Sequence, residues 1–344
     1  MKIAVLRTGP LFAHDDAALY VAQLCSVLSE AGHSIETTLL PFSSAIADVV
    51  KQSVAYRLFD LTHGSDLCIA IGPFAHAFNH PNKRIWLLSQ YGPIYDLWDT
   101  RFGASSTRPS DVSTRDYVYA VDRAWLSEAR LVCSGSHTIA QTVLNDLGTE
   151  TQLLPPALPN QYRYATNEHE GFFVAAGPLL DTARISLLID SFSHTVRPAR
   201  LVIMGFVSSP SERDAAQQMV LESTKAEFIT LEINPTYDRV FKHVSSALAL
   251  VSVPYRCSTL DIFTVAASWS RKTVLTTIDS GELARLVEHQ ADGYCVEANA
   301  VALAQAMDEI SGDLQSAKRL GDRFGEKLNG MTPTWAKIAQ ELTK

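Results

Sequence analysis

Residues 172–192, FFVAAGPLLDTARISLLIDSF, join an unbroken apolar run to a glycine turn and then to a segment whose apolar residues recur every three or four positions. A short apolar run bounded by glycine fits a strand buried on both faces, and the spacing after it fits a helix. Strand, tight turn and helix make the first half of a βαβ unit. Such turns often hold phosphate, because the N–H groups at a helix start point at the ligand. Here the turn holds no lysine and a single arginine, Arg184. A phosphate cradle is present in shape, without the charges that would fill it.

The same alternation continues on both sides. Downstream, ARLVIMG (199–205), EFITLEI (227–233), LALVSVPY (248–255), KTVLTT (272–277) and GYCVEAN (293–299) read as strands, and the segments between them read as helices. Upstream, KIAVLRT (2–8), HSIETTLLPF (33–42), DLCIAIG (66–72), RIWLLSQ (84–90) and ARLVCSGS (129–136) read as strands, with helices at 17–32 and 136–148. The segment 153–171, rich in Pro, Asn and Tyr, lacks either period and reads as a linker. Residues 300–328 and 332–344 are helical by spacing, with capping signals at Thr332 or Thr334. The expected fold class is α/β, two doubly wound parallel-sheet domains. One covers 1–160, with 331–344 returning to it, and the other covers 165–330. Ligands of such sheets bind outside the carboxyl ends of the strands, so a cleft between the domains is the expected site.

Composition excludes several classes of function. The chain has 344 residues, 47% hydrophobic and 19% charged, more than one core of ordinary size absorbs. Its formal charge is −8 and no Lys/Arg run occurs, so neither a nucleic-acid nor a membrane-surface footprint is present. No stretch reaches the length of a membrane span. The five cysteines (Cys25, Cys68, Cys133, Cys257, Cys295) stand alone, without a CxxC pair, and read as reduced core thiols of a cytoplasmic protein.

Three phrases carry a resemblance: HPNKRIWLLSQYGPIYDLWDT (80–100), ARLVCSGSHTIAQTVLNDLG followed by LLPPAL, and KTVLTTIDSGELARLVEHQADGYCVEANAVALAQAMDEI (272–310). In their order the chain resembles the family four retaining glycosyltransferases, over nearly its whole length. The resemblance implies the GT-B architecture of two facing Rossmann-like domains, transfer of a sugar from a nucleotide-sugar donor to a hydroxyl of a glycan or small molecule, and no metal or other cofactor. In that family an arginine and a lysine of the first turn of the second domain hold the diphosphate, and two glutamates serve the nucleotide ribose and the sugar. At those positions this chain has Pro178, Ala183 or the adjacent Arg184, Ser258 and Ala266. The family's glycine-rich first loop corresponds to LFAHDDAAL, where Asp15 and Asp16 would repel a diphosphate. Ser89 and Gly92 stand where many relatives carry a histidine and an arginine. Each lost charge-assisted phosphate contact costs about 1.5–3 kcal/mol.

Two readings follow: a transferase with rearranged donor contacts, or a catalytically dead homologue that binds or scaffolds an active transferase, another glycosyltransferase or a second copy of itself. No catalytic residue is singled out. The donor-side candidates are Gly177, Arg184, Gly205, Arg256, Asp279, Ser280 and Gly281; the Asp-Ser-Gly turn offers N–H groups that suit an anion or sugar hydroxyls, and capping explains it equally well. The acceptor-side candidates are His14, Ser89, Gln90, Tyr95 and Asp96, with Tyr95 and Trp98 as either a sugar-stacking surface or core. His76 and His80 read as surface-loop histidines, since no third metal ligand accompanies them.

Overall fold

The computed structural model describes residues 1–10, 15–60, 63–163 and 166–344. The chain divides into two compact units. One gathers the first strand, Asp15–Ala157 and Thr332–Lys344, and the other runs Leu158–Met331.

The first unit is a six-stranded parallel sheet of β1 (Lys2–Gly9), β2 (Ser34–Pro41), β3 (Leu67–Ile71), β4 (Lys83–Leu87), β5 (Leu131–Ser134) and β6 (Gln152–Leu153), in the order β2-β1-β3-β4-β5-β6. The central strands β3 and β4 are buried along their whole length, β3 as an apolar run and β4 with Lys83 and Arg84 buried at its start. Helix α1 (Asp16–Glu30) buries Tyr20, Val21, Leu24 and Leu28, one stripe at helical spacing, and stops at Ala31 before Gly32, whose φ is 85°. Two further helices, α2 (Ile46–Leu58) and α3 (Pro109–Ser127), fall where the sequence pattern had marked none. The buried face of α3 carries Asp111 and Asp122 beside Val118, Trp125 and Leu126, so its apolar period is broken by two carboxylates. Helix α4 (His137–Thr142) runs on as a π-helical turn over Val143–Leu147, and β6 takes the first residue of the expected linker.

The second unit repeats the architecture. Strands β7 (Phe172–Pro178), β8 (Arg200–Phe206), β9 (Ile229–Ile233), β10 (Ala249–Val251), β11 (Thr273–Thr277) and β12 (Tyr294–Val296) lie in the order β12-β11-β10-β7-β8-β9, all parallel. The interleaved helices are α5 (Ile185–Ser193), α6 (Pro210–Leu221), α7 (Tyr237–Ser246), α8 (Ile262–Trp269), α9 (Glu282–Leu286), α10 (Ala300–Gly312) and α11 (Leu314–Met331). The opening stretch is therefore β7, its turn and α5, whose Leu188, Ile189 and Phe192 face the core.

The last helix, α12 (Trp335–Thr343), is capped by Thr334, whose side chain accepts from the Lys337 N–H. It belongs to the first unit, where Trp335 meets Trp86 and Tyr20 with ring centroids 6.3 Å apart in each case. All five cysteines are free thiols; Cys68 and Cys133 are buried and the other three half-buried. Among the described residues no helix is long and apolar enough to cross a membrane.

Candidate functional site

In the second sheet the chain order reverses between β7 and β10, since β8 and β9 extend to one side and β11 and β12 to the other. Loops leaving a parallel sheet at such a point diverge and open a crevice at the strand carboxyl ends. A cavity of about 200 Å³ lies there, walled by the ends of β7, β8 and β10, the turn Gly177–Leu180 and the start of α5. Its walls are mostly aliphatic, from residues such as Leu179, Ile185, Met204 and Val253, and among the described residues no Lys, Arg or His lines it. Among the described residues one carboxylate is on the wall, Asp261, which caps α8: it accepts from the Thr264 N–H at 2.7 Å and the Thr264 hydroxyl at 2.9 Å.

Three loops are laced together above this cavity. The Tyr255 N–H donates to the Thr182 carbonyl at 2.8 Å, tying the loop after β10 to the turn after β7. The Arg256 N–H donates to the Asp279 carbonyl at 2.9 Å, and the Glu282 N–H to the Cys257 carbonyl at 2.8 Å, tying the same loop to the turn after β11. That second approach demands a glycine: Gly281 has φ 72°, and a Cβ on it would lie 2.2 Å from the Cys257 carbonyl oxygen. Gly205 is fixed by packing of a different kind, since a Cβ there would sit 2.4 Å from Leu179 Cδ1. Gly177 has φ 141° and open space around it at the cavity wall.

Arg184 is the knot of the lacing. Its Nε donates to the Val253 carbonyl at 2.7 Å, one terminal nitrogen to Asp279 at 2.7 Å, and the other to Asp279 at 2.8 Å, the Thr277 hydroxyl at 2.7 Å and the Pro254 carbonyl at 3.0 Å. The Arg184 side chain is only 10% exposed. Burial alone raises the Asp279 carboxyl, but the hydrogen bonds from Arg184 and Thr277 outweigh it and hold Asp279 below the ordinary aspartate range. The arginine expected to meet a phosphate is thus already matched by an internal carboxylate. Ser280 is wholly buried, with its hydroxyl 2.8 Å from that of Thr277, so it shapes the turn and is not presented to a ligand. Arg256 differs from Arg184 in exposure and in pairing, although both guanidiniums lie over the Tyr255 ring. It is exposed, its guanidinium lies 5.5 Å from the Tyr255 ring centroid, and among the described residues no carboxylate pairs with it. Nothing in the local sequence signalled Thr277 or the two carbonyls, because their role depends on strands far apart in the chain.

In the first unit, Ser89 and Gln90 follow β4 and border a small cavity of about 20 Å³. Tyr95 is buried and not a sugar-stacking surface: its hydroxyl donates to Asp122 at 2.6 Å and its ring stacks on Tyr119 at 5.1 Å. Burial, then the Asp122 charge, pushes its phenol far above the usual tyrosine range. His76 is buried as well, contrary to its surface-loop reading, with Nε2 2.7 Å from Asp122 Oδ1. His80 braces its own loop by accepting from the Asn82 N–H at 3.0 Å. Asp96 is half-buried, and Trp98, partly buried, packs on the core under the Arg115 guanidinium. Asp15 caps α1 and is paired with Arg7, which neutralises one of the two carboxylates expected to repel a diphosphate. His14 lies outside the described residues. Among the described residues no cluster of three or more His, Cys, Asp or Glu side chains gathers as a metal site.

Two parallel α/β units of this topology, with a cavity at a strand-order reversal, define the GT-B fold of two Rossmann-like units. Sucrose-phosphate synthase from Thermosynechococcus elongatus is similar over 99% of this chain and 97% of its own, with a TM-score of 0.78 at 17% identity. HepE from Anabaena, in complex with UDP and glucose, covers 98% of each chain with a TM-score of 0.71 at 12% identity. A glycosyltransferase from Rickettsia africae covers 100% of this chain and 99% of its own, with a TM-score of 0.69 at 12% identity. No family model and no curated protein matches the sequence.

Proposed function

We propose that this protein transfers a sugar from a nucleotide-sugar donor to a hydroxyl of a glycan or small-molecule acceptor, with the nucleoside of the donor in the cavity between β7 and β10. The observation that carries this reading is the cavity itself, about 200 Å³ of largely apolar wall at the carboxyl ends of parallel strands. Flat rings with a few polar edges suit such a space. UDP with glucose is bound in HepE, a protein of the same fold.

In the transfer the acceptor oxygen bonds to the anomeric carbon while the bond from that carbon to the diphosphate breaks, and the hydroxyl proton passes to the departing phosphate. Negative charge grows on the leaving group, and a cation aimed at it is the largest catalytic contribution available. Arg256 supplies that charge, being exposed on the loop after β10 beside the cavity residues Pro254 and Cys257. The acceptor falls to the first unit, where Ser89 and Gln90 stand at the carboxyl end of β4. Retention at the anomeric carbon follows from the family resemblance, and five cysteines outside any disulfide fit a reducing cytoplasm. No observation favours the non-catalytic alternative.

Calorimetric titration of the purified chain with UDP, GDP and ADP tests the reading. Sub-millimolar binding of one nucleotide, weakened at least tenfold by Arg256→Ala, is expected. Failure of all three to bind the folded protein refutes it.

A further inference from the structure

The pairing of Arg184 with Asp279 has consequences for how a donor is held, and this step rests on the nucleotide-sugar reading. Arg184 occupies the left-handed backbone region, with φ 53°. That conformation is unfavourable for any residue with a Cβ, so the surrounding structure must hold it in place. The five side-chain bonds of Arg184 do so, and two of them run in parallel to the two oxygens of Asp279. A carboxylate on the fork of a guanidinium uses the same donors, in the same plane, as two oxygens of a phosphate. Asp279 therefore sits where a diphosphate would have to sit to use Arg184. Its Oδ1 is held from a second side by the Thr277 hydroxyl at 2.8 Å.

We infer that Asp279 is a resident counter-ion that keeps Arg184 out of donor recognition, so that the anionic group of the donor is read by Arg256. Asp279 is then the residue that sets how tightly the site grips a diphosphate. One charge-assisted contact is withheld, which corresponds to roughly a 10- to 100-fold weaker grip than the same site would have with Arg184 available. A weak hold on the nucleotide favours its release after transfer, a step that limits turnover in many enzymes.

The experiment uses the full chain, with UDP, GDP, ADP and inorganic pyrophosphate as probes in calorimetry and thermal melts confirming folding. Asp279→Asn keeps one acceptor oxygen, able to face the Thr277 hydroxyl and one Arg184 nitrogen, while removing the charge and the second acceptor, and Asp279→Ser replaces it where Asp279→Asn does not fold. The expected result is a 10-fold or greater gain in pyrophosphate and nucleotide affinity over the native chain. That gain disappears when Arg184→Gln is added to Asp279→Asn, and Arg256→Ala weakens binding in both backgrounds. A folded Asp279 variant that binds pyrophosphate no more tightly than the native chain overturns the inference. If the native chain binds a nucleotide in that same experiment, the functional reading survives and only the counter-ion role falls. If Asp279→Asn gains pyrophosphate but no form binds any nucleotide, the counter-ion role stands and the nucleotide reading falls.

Discussion

Replacing Arg184 with alanine removes five hydrogen bonds at once and leaves Asp279 without its cation. Breaking a buried ion pair by deleting one partner costs about 3–5 kcal/mol. Asp279 is 31% exposed and regains part of its hydration, which lowers the expected loss to about 2–4 kcal/mol. For a unit of this size each kcal/mol moves the melting temperature by about 2–4 °C, so a fall of roughly 4–16 °C follows. Arg184→Gly loses the same contacts but relieves the left-handed backbone, so it should be more stable than Arg184→Ala by about 1 kcal/mol. The carboxyl of the pair also titrates. Asp279 has a depressed carboxyl, so its contribution is complete above the unfolded aspartate value near 4 and is lost as pH falls through the folded value. The stability gap between the native chain and Asp279→Asn should therefore be constant from about pH 5 to 8 and close below about pH 4. Urea and thermal unfolding followed by circular dichroism measure each of these. The reasoning is refuted if Arg184→Ala lies within about 0.5 kcal/mol of the native chain, or if Arg184→Gly is the less stable of the two.

Other substitutions probe the remaining contacts. Gly281→Ala places a methyl 2.2 Å from the Cys257 carbonyl oxygen at φ 72°, and should cost more than about 2 kcal/mol in urea titrations while abolishing nucleotide binding. His76→Ala strips a buried carboxylate, Asp122, of one of its two donors; a loss of about 2–4 kcal/mol is expected, against about 1–2 for Tyr95→Phe, in the same assay. Lys272 is buried, which lowers its ammonium to about 8. Between that value and the unfolded value near 10.4 the unfolded chain binds more protons, so stability rises with pH there. Relative to Lys272→Met, the native chain should gain stability from pH 8 to pH 10, and a flat difference would contradict the assignment.

Most of the fold was legible because its central strands are buried on both faces and its helices show one apolar stripe. β7 followed by α5 is the clearest case, and α1 with its glycine stop is another. α3 was illegible for a physical reason: Asp111 and Asp122 occupy its inner face, acceptable there because Asp122 meets His76 and Tyr95 and Asp111 meets Arg108. A carboxylate satisfied by partners elsewhere in the chain breaks the apolar period without breaking the helix. The same cause hid His76, which looked like a loop residue until α3 supplied its acceptor.

By itself the sequence determined the alternation of strands and helices, the tight turn after β7, and the poverty of that turn in cations. These follow from spacing and residue type between neighbours in the chain. Only the tertiary structure decided what the remaining charges do. Arg184 and Asp279 are separated by 95 positions and are joined because β7, β10 and β11 lie side by side in the second sheet. Whether an arginine is available to a ligand depends on which oxygens surround its guanidinium in space. Periodicity along a chain carries no record of them.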